Sequence, residues 1–90
     1  MDIRRYKIYF KGRVQNVGFR YKSKILATNL NLSGYVRNLT NGDVEMEIQG
    51  EMIYIQNLLD KLNHDWVIDI REINKEEIEI IDDEREFKII

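Results

Sequence analysis

The chain opens on a period of two: Tyr6, Ile8 and Phe10 alternate with Arg5, Lys7, Tyr9 and Lys11. That alternation suits a strand with one buried face, and it predicts a strand over Arg4 to Lys11 that Gly12 ends. Arg13 to Gly18 then reads as a connecting loop. The period changes to three-to-four at Phe19, Lys22, Leu26 and Leu30, predicting a helix from Phe19 to Asn29. Asn31 fits a left-handed residue closing that helix, since asparagine tolerates positive φ better than other non-glycine residues. Strand-like runs return over Ser33 to Thr40 and Asp43 to Gln49, with Asn41-Gly42 between them. Such a pair is a strong hairpin signal when both residues take positive φ. In the third strand Val44, Met46 and Ile48 point one way, and Asp43, Glu45 and Glu47 the other. Gly50 introduces a second helix, Glu51 to about Asn63, with a stripe of Ile55, Leu58, Leu59 and Leu62 and acids in its first turn, as the helix dipole prefers. A fourth strand region is expected over Val67 to Ile81, interrupted near Lys75-Glu76, and a short fifth strand over Phe87 to Ile90.

The order is β-α-β-β-α-β with a short final strand. It predicts a ferredoxin-like α+β sandwich, an antiparallel sheet with two helices on one face, in a single domain spanning residues 1–90. Two helices in a chain this short cover one sheet face only, which matches the clean alternation in the first and third strands.

Composition narrows the chemistry. With no cysteine among 90 residues, a disulfide scaffold, thiol catalysis and cysteine-ligated zinc are excluded. No apolar run approaches the ~18–20 residues that span a bilayer. The start, Met1 to Lys7, lacks the apolar stretch of a signal peptide, so a cytoplasmic protein without membrane contact is expected. The net charge of −2 conceals a division: the first half carries most of the Lys and Arg, the second most of the Asp and Glu. Such a division marks either an anion-binding face or two differently solvated surfaces.

Topology places the chemistry. In this fold the third strand lies antiparallel beside the first, so the second runs parallel to the first. The loop after strand one and the C-terminal end of strand two therefore share one end of the sheet. Loop 12–18 brings free backbone N–H groups there, with the N-terminus of the first helix and Arg20 in its first turn. Oriented amides, a helix dipole and a guanidinium fork together suit an anion. Arg37 and Asn38 approach the same end from strand two. A site bridging strands one and two spans roughly 10 Å, enough for a phosphate and an attacking water.

The residues at that end are also familiar in pattern. Gly12-Arg-Val-Gln-Asn-Val-Gly-Phe-Arg20 resembles the acylphosphatase loop, usually Gly-x-Val-Gln-Gly-Val-x-Phe-Arg. Gly34-Tyr-Val-Arg-Asn38, then Gly42-Asp-Val44 and Gly50, is similar to that family's second motif at the same spacing. Ala27, Leu30 and Leu32 fall where the family keeps small or apolar residues. The resemblance implies hydrolysis of the carboxyl–phosphate bond of acyl phosphates, without a metal or cofactor. It implies that Arg20 holds phosphoryl oxygens together with backbone amides of Gln15, Asn16, Val17, Gly18 and Phe19, and that Asn38 aims the water. Positioning and charge stabilisation suffice for such a substrate, because its leaving group is good. Two departures stand out. Asn16 replaces the usual loop glycine, so a formed cradle with weakened binding is expected, and Phe87-Lys88-Ile89-Ile90 lacks the terminal Arg-Tyr of many members.

Other residues take plainer readings. Arg37 should point to the opposite sheet face as a surface residue. His64, the lone histidine, is expected to stabilise the C-terminus of the second helix. Trp66 is expected in the core or as a lid over the helix end. The acids from Glu72 to Glu86 read as a solvated face, and Met46 and Met52 as core fillers. Two alternatives to an acyl phosphate hydrolase follow. One is a catalytically silent domain of the same family that binds phosphate or a partner protein. The other is an RNA-binding module, which shares the element order but stacks bases on aromatics of its central strands; strand three has none, and the net charge is negative. A monomer acting on a small acyl phosphate, with no nucleic acid partner, is the expectation.

Overall fold

The alternation in the first strand buries Tyr6, Ile8 and Phe10 on one face, and the rest of the sheet assembles around them in this computed structural model, which describes residues 2–90. The elements are β1 (Ile3–Arg13), α1 (Phe19–Asn29), β2 (Ser33–Asn38), β3 (Val44–Glu51), α2 (Met52–Asn63), β4 (Asp69–Ile78) and β5 (Phe87–Ile89). In space the strands run β4-β1-β3-β2-β5. All pairs are antiparallel except β2 with β5, so the ferredoxin-like α+β fold is present with a mixed sheet. Val36, Val44, Met46 and Ile48 continue the buried face, and Phe19 and Ala27 of α1 join Ile55, Leu58 and Leu62 of α2 in covering it.

Both helices end as their sequences suggest. Asn31 is left-handed with φ 56°, Leu32 N–H donates to the Ala27 carbonyl at 2.8 Å, and Asn31 N–H reaches that of Thr28 at 3.3 Å. This is the Schellman arrangement, with asparagine where glycine is commoner. At the end of α2 the His64 ring nitrogen Nδ1 lies 2.7 Å from the Asp60 carbonyl, which also accepts the His64 backbone N–H at 3.1 Å.

Several expected boundaries and placements are corrected. β1 does not stop at Gly12; it passes through a bulge between Lys11 and Gly12 and pairs with β4 as far as Arg13. β4 is unbroken at Lys75-Glu76, because Glu76 stands opposite Lys7 and Lys75 opposite Ile8 in a continuous ladder. As an edge strand it carries charge without penalty. In the hairpin only Gly42 is left-handed, φ 96°. Gly42 N–H closes the turn on the Leu39 carbonyl at 3.2 Å, and Asp43 N–H donates to Asn41 Oδ1 at 2.9 Å. The strands accordingly end at Asn38 and resume at Val44. α2 has no acid in its first turn, since Glu51 is the extended residue before it. Trp66 is neither core nor lid: it is fully exposed. Asp65 Oδ1 accepts from Val67 N–H and Ile68 N–H and pairs with Lys22, and the turn so fixed buries Ile68 while holding the indole outward.

The face away from the helices is partly covered. The connection from β4 to β5 must cross from one edge of the sheet to the other, and it passes over the N-terminal end of β1. There Arg5, expected on the solvated face, is 1% exposed. Its guanidinium donates to Glu84 Oε1 at 2.6 Å, to Glu47 Oε1 at 2.8 Å and to Gln49 Oε1 at 3.1 Å. Burial alone would lower its pKa, and the two carboxylates reverse that and raise it. The Gln49 amide meets Ile81 N–H and C=O at 2.9 Å each, so a side chain pairs with the crossing segment like a neighbouring strand. Glu84 therefore leaves the set of simply solvated acids.

Candidate active site

Val14, Val17 and Phe19 point inward along the loop that follows β1, while Asn16, Gly18 and Arg20 point outward. The loop is anchored at both ends, because the Phe10 ring of β1 packs 4.8 Å from the Phe19 ring of α1, tilted by 59°. Between these anchors Asn16 (φ 62°) and Gly18 (φ 77°, ψ 16°) are left-handed. Alternating handedness of this kind turns successive N–H groups toward one side. Gly18 immediately precedes α1, and no side chain caps the helix there, so the first-turn N–H groups stay available to an anion.

β2 delivers the second half of the site. Phe10 pairs with Val44, and Val44 pairs with Asn38, so one rung of the sheet carries the end of β1 across to Asn38. The Asn38 side chain lies on the helix side, and its Oδ1 is buried without a hydrogen-bond partner. A buried acceptor left unpaired costs free energy unless something donates to it. Arg37, next door, points the other way as expected and donates to Glu45 Oε1 at 2.8 Å. Desolvation pushes the Glu45 carboxyl up, but hydrogen bonds from Arg37, Tyr35 and Tyr9 outweigh it and leave the pKa lowered.

Asn16, Gly18, Phe19, Arg20 and Asn38 line one cavity of about 210 Å³. Arg20 is exposed and makes no ion pair or hydrogen bond among the described residues. Two loop residues expected to contribute backbone amides turn their side chains away from the cavity. The Val17 side chain is buried in the core, and the Gln15 carboxamide turns to the β2–β3 turn, donating to the Leu39 and Asp43 carbonyls at 2.7 and 2.8 Å. Only the backbone amides of these two residues are candidates for an anion. Conversely, Val14, Tyr21 and Ile89 line the cavity without having been singled out. For Ile89 a signal existed: Phe87 and Ile89 alternate with Lys88, and β5 lies beside β2. Tyr21 had none, because an exposed tyrosine on a helix has many possible uses.

Comparison with known proteins decides the family. The acylphosphatase family model matches residues 6–89. The chain belongs to the acylphosphatase family. An acylphosphatase of Clostridium beijerinckii is 34% identical over 86 residues, covering 94% of this chain and 96% of that protein. One from Geobacillus kaustophilus is 34% identical over 89 residues, 98% and 95% of the two chains. Among solved structures, the acylphosphatase of Bacillus subtilis superposes with a TM-score of 0.88 at 28% identity, covering 98% of each chain. Family and fold together support acylphosphatase activity, an enzyme's role with a small-molecule substrate. Among the described residues no helix is long and apolar enough to cross a membrane.

Proposed function

We propose that the chain hydrolyses the carboxyl–phosphate bond of acyl phosphates at the cavity between the β1–α1 loop and the end of β2. One observation carries the reading: a free guanidinium, an uncapped helix start and an unpaired buried acceptor, Asn38 Oδ1, border the same small cavity. The phosphoryl oxygens sit against the N–H groups of residues 15–19 and the Arg20 fork, which spread and hold their charge. A water donates one O–H to Asn38 Oδ1, which turns an oxygen lone pair toward phosphorus. As the water oxygen bonds to phosphorus, the bond from phosphorus to the acyl oxygen breaks, and its electron pair leaves as a carboxylate. Both water protons end on the phosphate, so a dianionic acyl phosphate and water give a carboxylate and dihydrogen phosphate. A carboxylate is a weak base and leaves unprotonated, so positioning and fixed dipoles supply the acceleration.

The single domain acts on a small acyl phosphate as a cytoplasmic monomer. The sheet face on which RNA-recognition modules stack bases argues against a nucleic acid partner, because Glu45 and Glu47 occupy its centre beside Tyr35.

The test is hydrolysis of benzoyl phosphate by the purified chain without added metal. Arg20→Ala and Asn38→Ala should each lower kcat/KM by roughly 100-fold or more, the scale for removing one transition-state donor or positioning group. Their urea midpoints should stay near that of the wild type. Normal turnover by Asn38→Ala would remove that residue from the mechanism. Protection by inorganic phosphate against unfolding, with no hydrolysis by the wild type, would instead identify a silent phosphate-binding domain.

A further inference from the structure

Gln15 belongs to the anion loop but does not line its cavity, and its side chain reaches the β2–β3 turn instead. We propose that Gln15 is a positioning residue, whose carboxamide clamps the loop to the β2–β3 turn and so fixes Asn38 relative to Arg20 and the loop amides. The proposal rests on the hydrolytic reading above. A glutamine amide nitrogen carries two N–H donors. Both are engaged, one with the Leu39 carbonyl at 2.7 Å and one with the Asp43 carbonyl at 2.8 Å.

Those two carbonyls also close the turn. The Leu39 oxygen accepts from Gly42 N–H at 3.2 Å, and the Asp43 oxygen accepts from Leu39 N–H at 2.8 Å. Gln15 therefore fills the remaining acceptor capacity of the turn and locks loop and turn into one unit. Leu39 directly follows Asn38, so the clamp grips the backbone one residue from the group that aims the water. A second tie, Lys11 Nζ to Asp43 Oδ2 at 2.6 Å, holds the turn to β1 at a half-exposed point and does not reach the loop. The anion contacts and the water contact thus sit on two elements joined at their base by the Phe10–Val44–Asn38 rung of the sheet, and the Gln15 side chain ties the loop directly to the turn. Misplacement of a reacting group by about 1 Å costs on the order of 100-fold in rate, so such a joint governs turnover.

Two variants test it in the full chain. Gln15→Met keeps the length and removes both donors; Gln15→Glu keeps the shape and sets a carboxylate against two carbonyls. In each, kcat on benzoyl phosphate should fall roughly 10- to 100-fold. The inhibition constant of inorganic phosphate should change less than about threefold, because the loop amides and Arg20 remain. In ¹⁵N-labelled protein saturated with inorganic phosphate, the Asn38 side-chain amide signals should move from their wild-type positions. Unchanged kcat in both variants would overturn the proposal, as would a loss of phosphate affinity as large as the loss of kcat, which would mean that the loop itself had collapsed. Unmoved Asn38 signals would overturn it too. If the wild type does not hydrolyse acyl phosphate, the hydrolytic reading fails, and the Asn38 signals and the phosphate titration still decide the clamp.

Discussion

Asn16 holds a left-handed backbone, φ 62°, at the mouth of the cavity, where the family usually has glycine. Glycine reaches that conformation without strain, most residues lose about 1–2 kcal/mol there, and asparagine loses less. The substitution is therefore tolerated by the backbone, and its effect should fall on the ligand. Asn16→Gly should change stability by less than about 0.5 kcal/mol, because relief of residual strain is offset by the freer unfolded chain. It should also tighten inhibition by inorganic phosphate by up to about fivefold, the worth of one hydrogen bond, as the backbone gains a closer approach. Asn16→Val should lose about 1–2 kcal/mol in urea unfolding. Equal phosphate inhibition in the wild type and Asn16→Gly would show that the side chain does not obstruct the anion. The left-handed asparagine at 31 was legible, because so few residue types suit that backbone. Trp66 was not legible. A large apolar side chain is ordinarily core, and only the Asp65 turn, held by Lys22 across from α1, reveals that it points outward.

At the scale of elements, what could be read was whatever follows from period and turn chemistry: both helices, the first three strands and the end of the sheet where the loop and Asn38 meet. What could not be read depends on pairing partners. Lys75-Glu76 looks like an interruption in isolation and becomes ordinary strand once β1 lies beside it. Likewise Arg5 alternates as a solvent-facing residue, and only the return of the chain over that face buries it. This network makes a sharp prediction. Glu47 and Glu84 converge on one guanidinium that is 1% exposed, so removing it leaves two carboxylates partly buried and facing each other. Breaking a buried pair from one side typically costs about 3–5 kcal/mol, far more than the intact pair contributes. Arg5→Met should thus lower the unfolding free energy from urea titration by that amount, seen as a lower midpoint at an unchanged slope. Phosphate inhibition should remain as in the wild type, since Arg5 lies at the opposite end of β1 from the cavity. A loss below about 1 kcal/mol would mean that water reaches the site and screens the carboxylates.

For the molecule as a whole, the division of charge between the two halves of the chain is largely cancelled by folding. Arg4, Arg5, Lys7, Lys11, Lys22 and Arg37 of the basic half each pair with a carboxylate. Lys22, on the helix next to the loop, is neutralised by Asp65 at 2.9 Å. Among the described residues, Arg13, Arg20 and Lys24 are the first-half cations with no carboxylate within 4.0 Å. Two of these bracket the anion loop in the chain, Arg13 next to Val14 and Arg20 just past Gly18, a placement suited to steering an anion. Unpaired cations beside an anion site raise the local concentration of a dianionic substrate, and salt screens the effect over a Debye length of about 10 Å at 0.1 M. Arg13→Gln should therefore lower kcat/KM roughly two- to fivefold at low ionic strength and leave kcat alone. The difference should vanish at about 0.5 M salt. Lys7→Gln is the matched control: Lys7 lies on the far face near Glu45 and Glu47, so its removal should leave kcat/KM and its salt dependence unchanged. A salt-independent defect in Arg13→Gln would assign Arg13 a direct contact with bound substrate, and an equal effect of Lys7→Gln would mean that the field arises from net charge rather than from the two arginines flanking the loop.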